Sequence, residues 1–221
     1  MDKRPRLYDV TMWMEDFVFP GNQPVRVDGP HNALSGSNPE YVYDIAFPTQ
    51  AGTHVQGPHY FMAEGDRVND LPLDRFHVRA HILDVTKRGE DITAEDLAGM
   101  IDAVDMVGDA VVLRTGHMDE LVDGAPLRSE TRPGLSLLAA RYLVEERGVS
   151  MIAIDSVGVE SRQSCNYEVN VYLCEQGIII LEGLVNLGQV EGAELWLEAY
   201  PLKIRGVEGT PCRAVIKSYS S

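Results

Sequence analysis

Short runs of β-branched and aliphatic residues recur along the chain, separated by polar and Gly-rich stretches. Residues 41–47 (YVYDIAF), 81–85 (HILDV), 110–114 (AVVLR), 151–154 (MIAI) and 178–181 (IIIL) read as strands. Helical patterning falls between them. Thr93-Ala94-Glu95-Asp96 opens one helix, with Thr93 as N-cap. Residues 136–147 form a second, in which Leu137, Leu138, Ala140, Tyr142 and Leu143 supply an apolar face and Gly148 ends the element. A third, shorter helix runs from about 167 to 175 and stops before Gly177. From Ile92 to Leu181 the order is helix, strand, helix, strand, helix, strand. That mixture predicts an α/β or α+β single domain over 1–221, built on a sizeable sheet. Residues 20–39, rich in Gly, Pro, Asn and Ser, read as a long loop of the kind that serves as a lid, a subunit contact or plain surface.

Composition narrows the partners. At 44% hydrophobic the chain can bury a core, and its formal charge of -15 argues against nucleic acid or an anionic membrane as the main partner. The N-terminal stretch MDKRPRLYDVTMWMEDF is broken by charges and does not read as a secretory signal. The longest apolar run, Ile178 to Leu181, is far too short to span a bilayer. Cys165, Cys174 and Cys212 form no C-x-x-C pair, so neither a disulfide framework nor a zinc knuckle is expected. A reducing cytoplasm is the expected compartment.

Candidate chemistry concentrates in residues 50–61, QAGTHVQGPHYF, directly after the first of these strands. Gly52 permits a sharp bend or a close backbone approach. If the chain is extended beyond it, Gln50, Gly52, His54 and Gln56 point one way. His54 and Gln56 then share a volume, in an arrangement that would suit a divalent ion if the amide were a carboxylate.

The motif resembles that of the cyclase family, which includes bacterial kynurenine formamidases and isatin hydrolases. The family hallmark is H-x-G-T-H-x-D-x-P-x-H. Here Gly52-Thr53-His54 and Pro58 fall in register. The resemblance continues through Asp9-Val10-Thr11, Phe19-Pro20-Gly21, Leu71-Pro72-Leu73-Asp74, Arg114-Thr115-Gly116, Pro133-Gly134-Leu135, Ile154-Asp155-Ser156 and GIIILEGLVNL from Gly177. It implies a swivelled β/β/α fold, an α/β barrel-like single domain, and a homodimer or homotetramer in which the N-terminal loop completes a neighbour's pocket. It also implies an arylformamidase-like hydrolase acting on a small amide, lactam or related carbonyl compound.

The departures from the family pattern define the site. The resemblance places the metal-ligand positions on Gln50, His54, Gln56, Asn170 and Glu182, and the proton-transfer position on Tyr60. Only His54 and Glu182 keep usual ligand types; three positions carry amides. A catalytic zinc or manganese ion wants about three ligands from His, Cys, Asp and Glu. The expectation is therefore no cofactor, or Zn or Mn bound weakly through His54 and Glu182. Amides donate as well as accept, so Gln50, Gln56 and Asn170 are expected to line a metal-free pocket for a small molecule. Glu182 is the candidate general base, His54 or His59 the candidate proton carrier, and Tyr60 a donor to a developing oxyanion. His117, in RTGHMDE, is a candidate pocket liner, whereas His31, His77 and His81 read as loop or surface residues. Cys165, with no adjacent basic residue, reads as structural. A scarcity of cations suggests a neutral aromatic or polyketide-like substrate. Three classes stay open: a hydrolase, a metal-independent lyase, dehydratase or isomerase, and a non-catalytic small-molecule binder.

Overall fold

The computed structural model describes residues 4–31, 40–87, 89–101 and 104–219. In chain order the elements are β1 (Arg6–Asp9), β2 (Arg26–His31), β3 (Val42–Ala46), β4 (His54–Gln56), β5 (His77–Asp84), α1 (Ala94–Ile101), β6 (Ala110–Arg114), α2 (His117–Val122), α3 (Leu137–Arg141), β7 (Met151–Ile154), α4 (Glu168–Glu175), β8 (Ile179–Glu182), β9 (Glu194–Glu198), β10 (Gly209–Pro211) and β11 (Val215–Tyr219). Nine strands form one sheet in the order β1-β11-β9-β5-β6-β7-β8-β4-β10. The four central strands, β5 to β8, are parallel, and every flanking pair is antiparallel.

Strands β6, β7 and β8 are apolar at nearly every position because both faces are covered. Val111, Leu113, Ile152, Ile154 and Ile180 pack against Leu97, Ile101, Ala139, Leu143, Val169 and Leu173 of α1, α3 and their neighbours on one side. The alternate residues, Ala110, Val112, Met151, Ala153, Ile179 and Leu181, face Val55 from one end of the sheet and Leu195, Leu197 and Ile216 from the other. The sheet thus curls until both ends close over the same face, and among the described residues no α-helix contributes to the core on that side. Each buried Leu, Ile or Val contributes about 1.5–3 kcal/mol to holding the layers together.

The expected helices form with adjusted limits. Thr93 and Asp96 close a reciprocal cap, Oγ1 accepting from the Asp96 N–H and the Asp96 carboxylate from the Thr93 N–H. Ser136 caps α3, which passes into a π-helical turn over Tyr142–Glu146 and ends before Gly148 in the left-handed region. Leu138, expected on the apolar face, is exposed, and Ala139 is buried instead.

One sequence expectation is met in an unexpected setting and one is corrected. Residues 41–47 do yield a strand, β3, but it pairs only with β2 in a two-stranded ribbon whose residues are exposed. The expected long loop supplies β2; residues 32–39 lie outside the described residues. His31 and His77 stand on strands with exposed side chains, in keeping with surface residues, whereas His81 is partly buried with Nε2 2.7 Å from Asp109.

Candidate functional site

Two short strands bring the candidate chemistry together. In the antiparallel pairing of β4 with β8, His54 lies opposite Glu182 and Gln56 opposite Ile180. Val55, between them, points into the core, which leaves His54 and Gln56 on the other side. Both strand ends turn at glycines with φ near +58° (Gly52) and +72° (Gly183). A Cβ on Gly183 would lie 2.9 Å from the Gly52 carbonyl, so only glycine allows this approach. Thr53 fixes the crossing: its hydroxyl donates to the Gly183 carbonyl at 2.6 Å and accepts from the Met12 N–H at 3.0 Å.

His54, Gln56 and Glu182 form a closed, buried network. His54 Nδ1 is 2.8 Å from the Gly52 carbonyl, which only accepts, so Nδ1 carries the proton. Nε2 then accepts from the Gln56 amide nitrogen at 2.9 Å. The same nitrogen donates its other proton to Glu182 Oε2 at 2.8 Å. Flipping the amide would set its oxygen against the Glu182 carboxylate, so the orientation is dictated by its neighbours. The consequence is that Gln56 Oε1 is buried without a partner. Glu182 Oε1 accepts from the Val159 N–H at 3.1 Å, and the edge of the Phe19 ring meets His54 at 5.0 Å between centroids.

A cavity of about 440 Å³ opens above this network. Gln50, Tyr60, Asn170 and Glu182 all line it, together with Phe19, Arg132, Glu160, Arg162, Cys165 and Tyr167. Half of the candidate residues therefore converge. His54 and Gln56 lie buried beneath, reaching the cavity only through Glu182. His59 and His117 do not line it. Beyond Gly57 the chain leaves the strand for a 3-10 turn, Pro58–Tyr60, where His59 Nδ1 sits 3.2 Å from the Met62 carbonyl. His117 is buried on α2 with Nδ1 3.0 Å from the Ser156 hydroxyl. The start of α2 is tied down by buried Asp155, which accepts from the backbone N–H groups of Thr115 and Gly116. Burial pushes the Asp155 carboxyl up to about 6.

Glu160, Arg132 and Arg162 are not among the residues that the sequence pattern singles out. Glu160 lies at the start of α4, where it accepts from the N–H groups of Val169 and Asn170 and from the Asn170 side chain at 2.7 Å. That last bond holds Asn170 with its Oδ1 buried and unpartnered. Arg132 stands half-buried in the wall. Burial lowers its guanidinium pKa, against which the charges of Glu182, Glu160 and Asp91 act. Burial, and then the negative charge of Glu182, push the Tyr60 phenol above its ordinary range, while Gln50 acts in the opposite direction. Tyr60 therefore remains a donor at neutral pH. The two arginines stand against the expectation of a pocket with few carboxylate-binding cations, and Cys165 is exposed at its rim. The one sequence signal that could have found them is Arg132 abutting the Pro133-Gly134 turn.

These residues do not fit the divalent ion that the sequence resemblance implies. His54 Nε2 has a single lone pair and the Gln56 amide nitrogen occupies it, while the same nitrogen takes one lone pair of Glu182 Oε2. Among the described residues no cluster of three or more His, Cys, Asp and Glu is placed to hold an ion. A larger surface cavity, about 670 Å³, holds none of the candidate residues. Its charges are largely engaged: Arg213 pairs with Asp9 at 3.0 Å and Asp119 accepts from the Asn186 N–H at 2.8 Å.

Comparison with known proteins agrees with this architecture. The Cyclase family model matches residues 8–161. Kynurenine formamidase of Salinibacter ruber is 29% identical over 205 residues, covering 90% of this chain and 91% of that one. Kynurenine formamidase of Bacillus cereus is 28% identical over 221 residues, covering 97% and 94%. Isatin hydrolase A from Labrenzia aggregata superposes with a TM-score of 0.86 at 22% identity, covering 98% of this chain and 94% of that one. The curled sheet with helices on one face is the fold of these proteins.

Proposed function

The chain belongs to the Cyclase family, and from that premise we propose that it hydrolyses a small amide or lactam in the Glu182 cavity without a divalent ion. The observation that carries this reading is the placement of Glu182. Its carboxylate reaches the cavity while the Val159 N–H and the Gln56 amide fix its orientation, each taking one oxygen and leaving lone pairs free. The names of the formamidase relatives support an amide as the scissile group.

In this scheme Glu182 takes a proton from water as the water oxygen bonds to the substrate carbonyl carbon. The oxyanion that forms receives a hydrogen bond from the Tyr60 hydroxyl. Collapse breaks the C–N bond, and the Glu182 proton passes to the departing nitrogen. His54 does not touch the substrate. It holds Gln56, which holds Glu182. The test is hydrolysis of an aryl formamide by wild type and Glu182→Gln. Loss of about 10²-fold or more in kcat, with the fold intact by circular dichroism, is expected. Unchanged turnover in the variant would remove Glu182 from the chemistry.

The assembly we propose is a homodimer or homotetramer. The β2–β3 ribbon supports it by holding Val27, Tyr43 and Ile45 about half exposed or more, at 53%, 50% and 58%. Light scattering that returned a monomer would exclude it. Among the described residues no helix is long and apolar enough to cross a membrane. The three free cysteines suit the cytoplasm we infer for it.

A further inference from the structure

We propose that the Glu182 cavity is selective for monoanionic ligands, and that Arg132, flanked by Arg162, receives the ligand's carboxylate. This deepens the hydrolase reading and rests on it for the identity of the site. A guanidinium carries five donors in a planar fork. Among the described residues that of Arg132 makes one marginal bond, 3.5 Å to the Ser161 carbonyl, although it is half-buried. Neither neighbouring carboxylate pairs with it directly. Glu160 is taken up by three N–H groups at the start of α4, and Glu182 by two. Arg162 repeats the pattern: its Nε is buried without a partner, and its terminal nitrogen goes to the Glu130 carbonyl. Two guanidiniums with spare donors therefore line the same cavity.

A partly desolvated guanidinium with unused donors is a receptor for a planar anion, which it binds through two parallel N–H···O bonds. Charge decides between anions. Arg132, Arg162, Glu160 and Glu182 sum to zero and Asp91 beside Arg132 adds one negative charge, so a carboxylate leaves the site with two net negative charges and a phosphate monoester dianion with three. The chain already carries -15, and the phosphate's second charge is the less tolerable. Aromatic rings of Phe19 and Tyr167 on the same cavity offer the apolar surface for the body of an aryl carboxylate.

The experiment is calorimetric titration of the full-length protein with benzoate and with its neutral isostere, benzamide. Wild type is expected to bind benzoate about tenfold or more tighter than benzamide. Arg132→Gln is expected to lose that preference while keeping benzamide affinity within about twofold. Arg132→Lys, which keeps the charge but not the fork, is expected to fall between them. Should Arg132→Gln not fold, the wild-type preference and the lysine variant still decide. Equal binding of the two probes by wild type, binding of neither, or equal weakening of both in the variants overturns the proposal. Binding is read without turnover. A protein that prefers benzoate yet hydrolyses no amide keeps this inference and sinks the hydrolase reading; an active hydrolase without the preference does the reverse.

Discussion

Replacing Gln56 by aspartate removes the one nitrogen that satisfies both His54 and Glu182. In the native network that nitrogen lies 2.8 Å from Glu182 Oε2 and 2.9 Å from His54 Nε2. The shorter acidic side chain sets the introduced carboxylate roughly 4 Å from Glu182, where two like charges repel by about 4 kcal/mol at an effective dielectric of ~20. Expressed as titration, this raises one carboxyl of the pair by about three pH units. A folded-state pKa raised in this way contributes stability below the unfolded value near 4, and that contribution is lost as pH rises through about 7. The variant should therefore unfold in urea with about 3–4 kcal/mol less stability than wild type at pH 7.5 and approach wild type at pH 5. A divalent cation offers the alternative relief. With the carboxylate pair and His54 in place, Zn²⁺ at one hundred times its dissociation constant restores about 2.7 kcal/mol. Wild-type stability should not respond to the ion. A wild type that gains as much from Zn²⁺ as Gln56→Asp, or a variant equal to wild type at pH 7.5 without metal, would refute the reasoning that the amide occupies the ion's place.

Tyr60→Phe should lower kcat by about 10²-fold with little change in KM, since the hydroxyl acts on the oxyanion rather than on the ground state; steady-state kinetics on an aryl formamide decide it. Asp155 supplies a pH signature. Its folded carboxyl titrates at about 6 against an ordinary value of 3.8, so its contribution is present below about 4 and lost as pH rises through about 6. The stability of wild type minus that of Asp155→Asn should fall by about 2 kcal/mol between pH 4 and pH 7 in urea titrations, and a flat difference would contradict the buried assignment.

The central sheet was legible because β6, β7 and β8 are buried on both faces, and a short continuous apolar run bounded by turn residues is what such a strand requires. The YVYDIAF stretch carries the same signal and misleads. Its strand stands in an exposed ribbon, and propensity does not say what a strand will pack against. The outer strands β9, β10 and β11 were not legible because they are short or interleave charges such as Glu194, Glu198 and Lys217 with their core positions. The site divides along similar lines. Period-two alternation puts His54 and Gln56 on one side of β4, and the pairing with β8 adds Glu182. Burial depth is not written in alternation, so only the folded chain shows His54 and Gln56 lying beneath the cavity. Arg132 and Glu160 come from loops distant in sequence that only the fold brings to Glu182, and His59 leaves the pocket because a 3-10 turn replaces the extended chain.

The Gln56 amide joins His54 to Glu182, and the proposal that no ion takes its place is central to the proposed chemistry. Elemental analysis of protein purified without chelator, before and after soaking in Zn²⁺ or Mn²⁺, with aryl formamide hydrolysis followed on the same samples, tests it most directly. Far less than one ion per chain, and hydrolysis indifferent to chelator, is the expected result. Near-stoichiometric metal with hydrolysis that disappears on chelation and returns with the ion would contradict it.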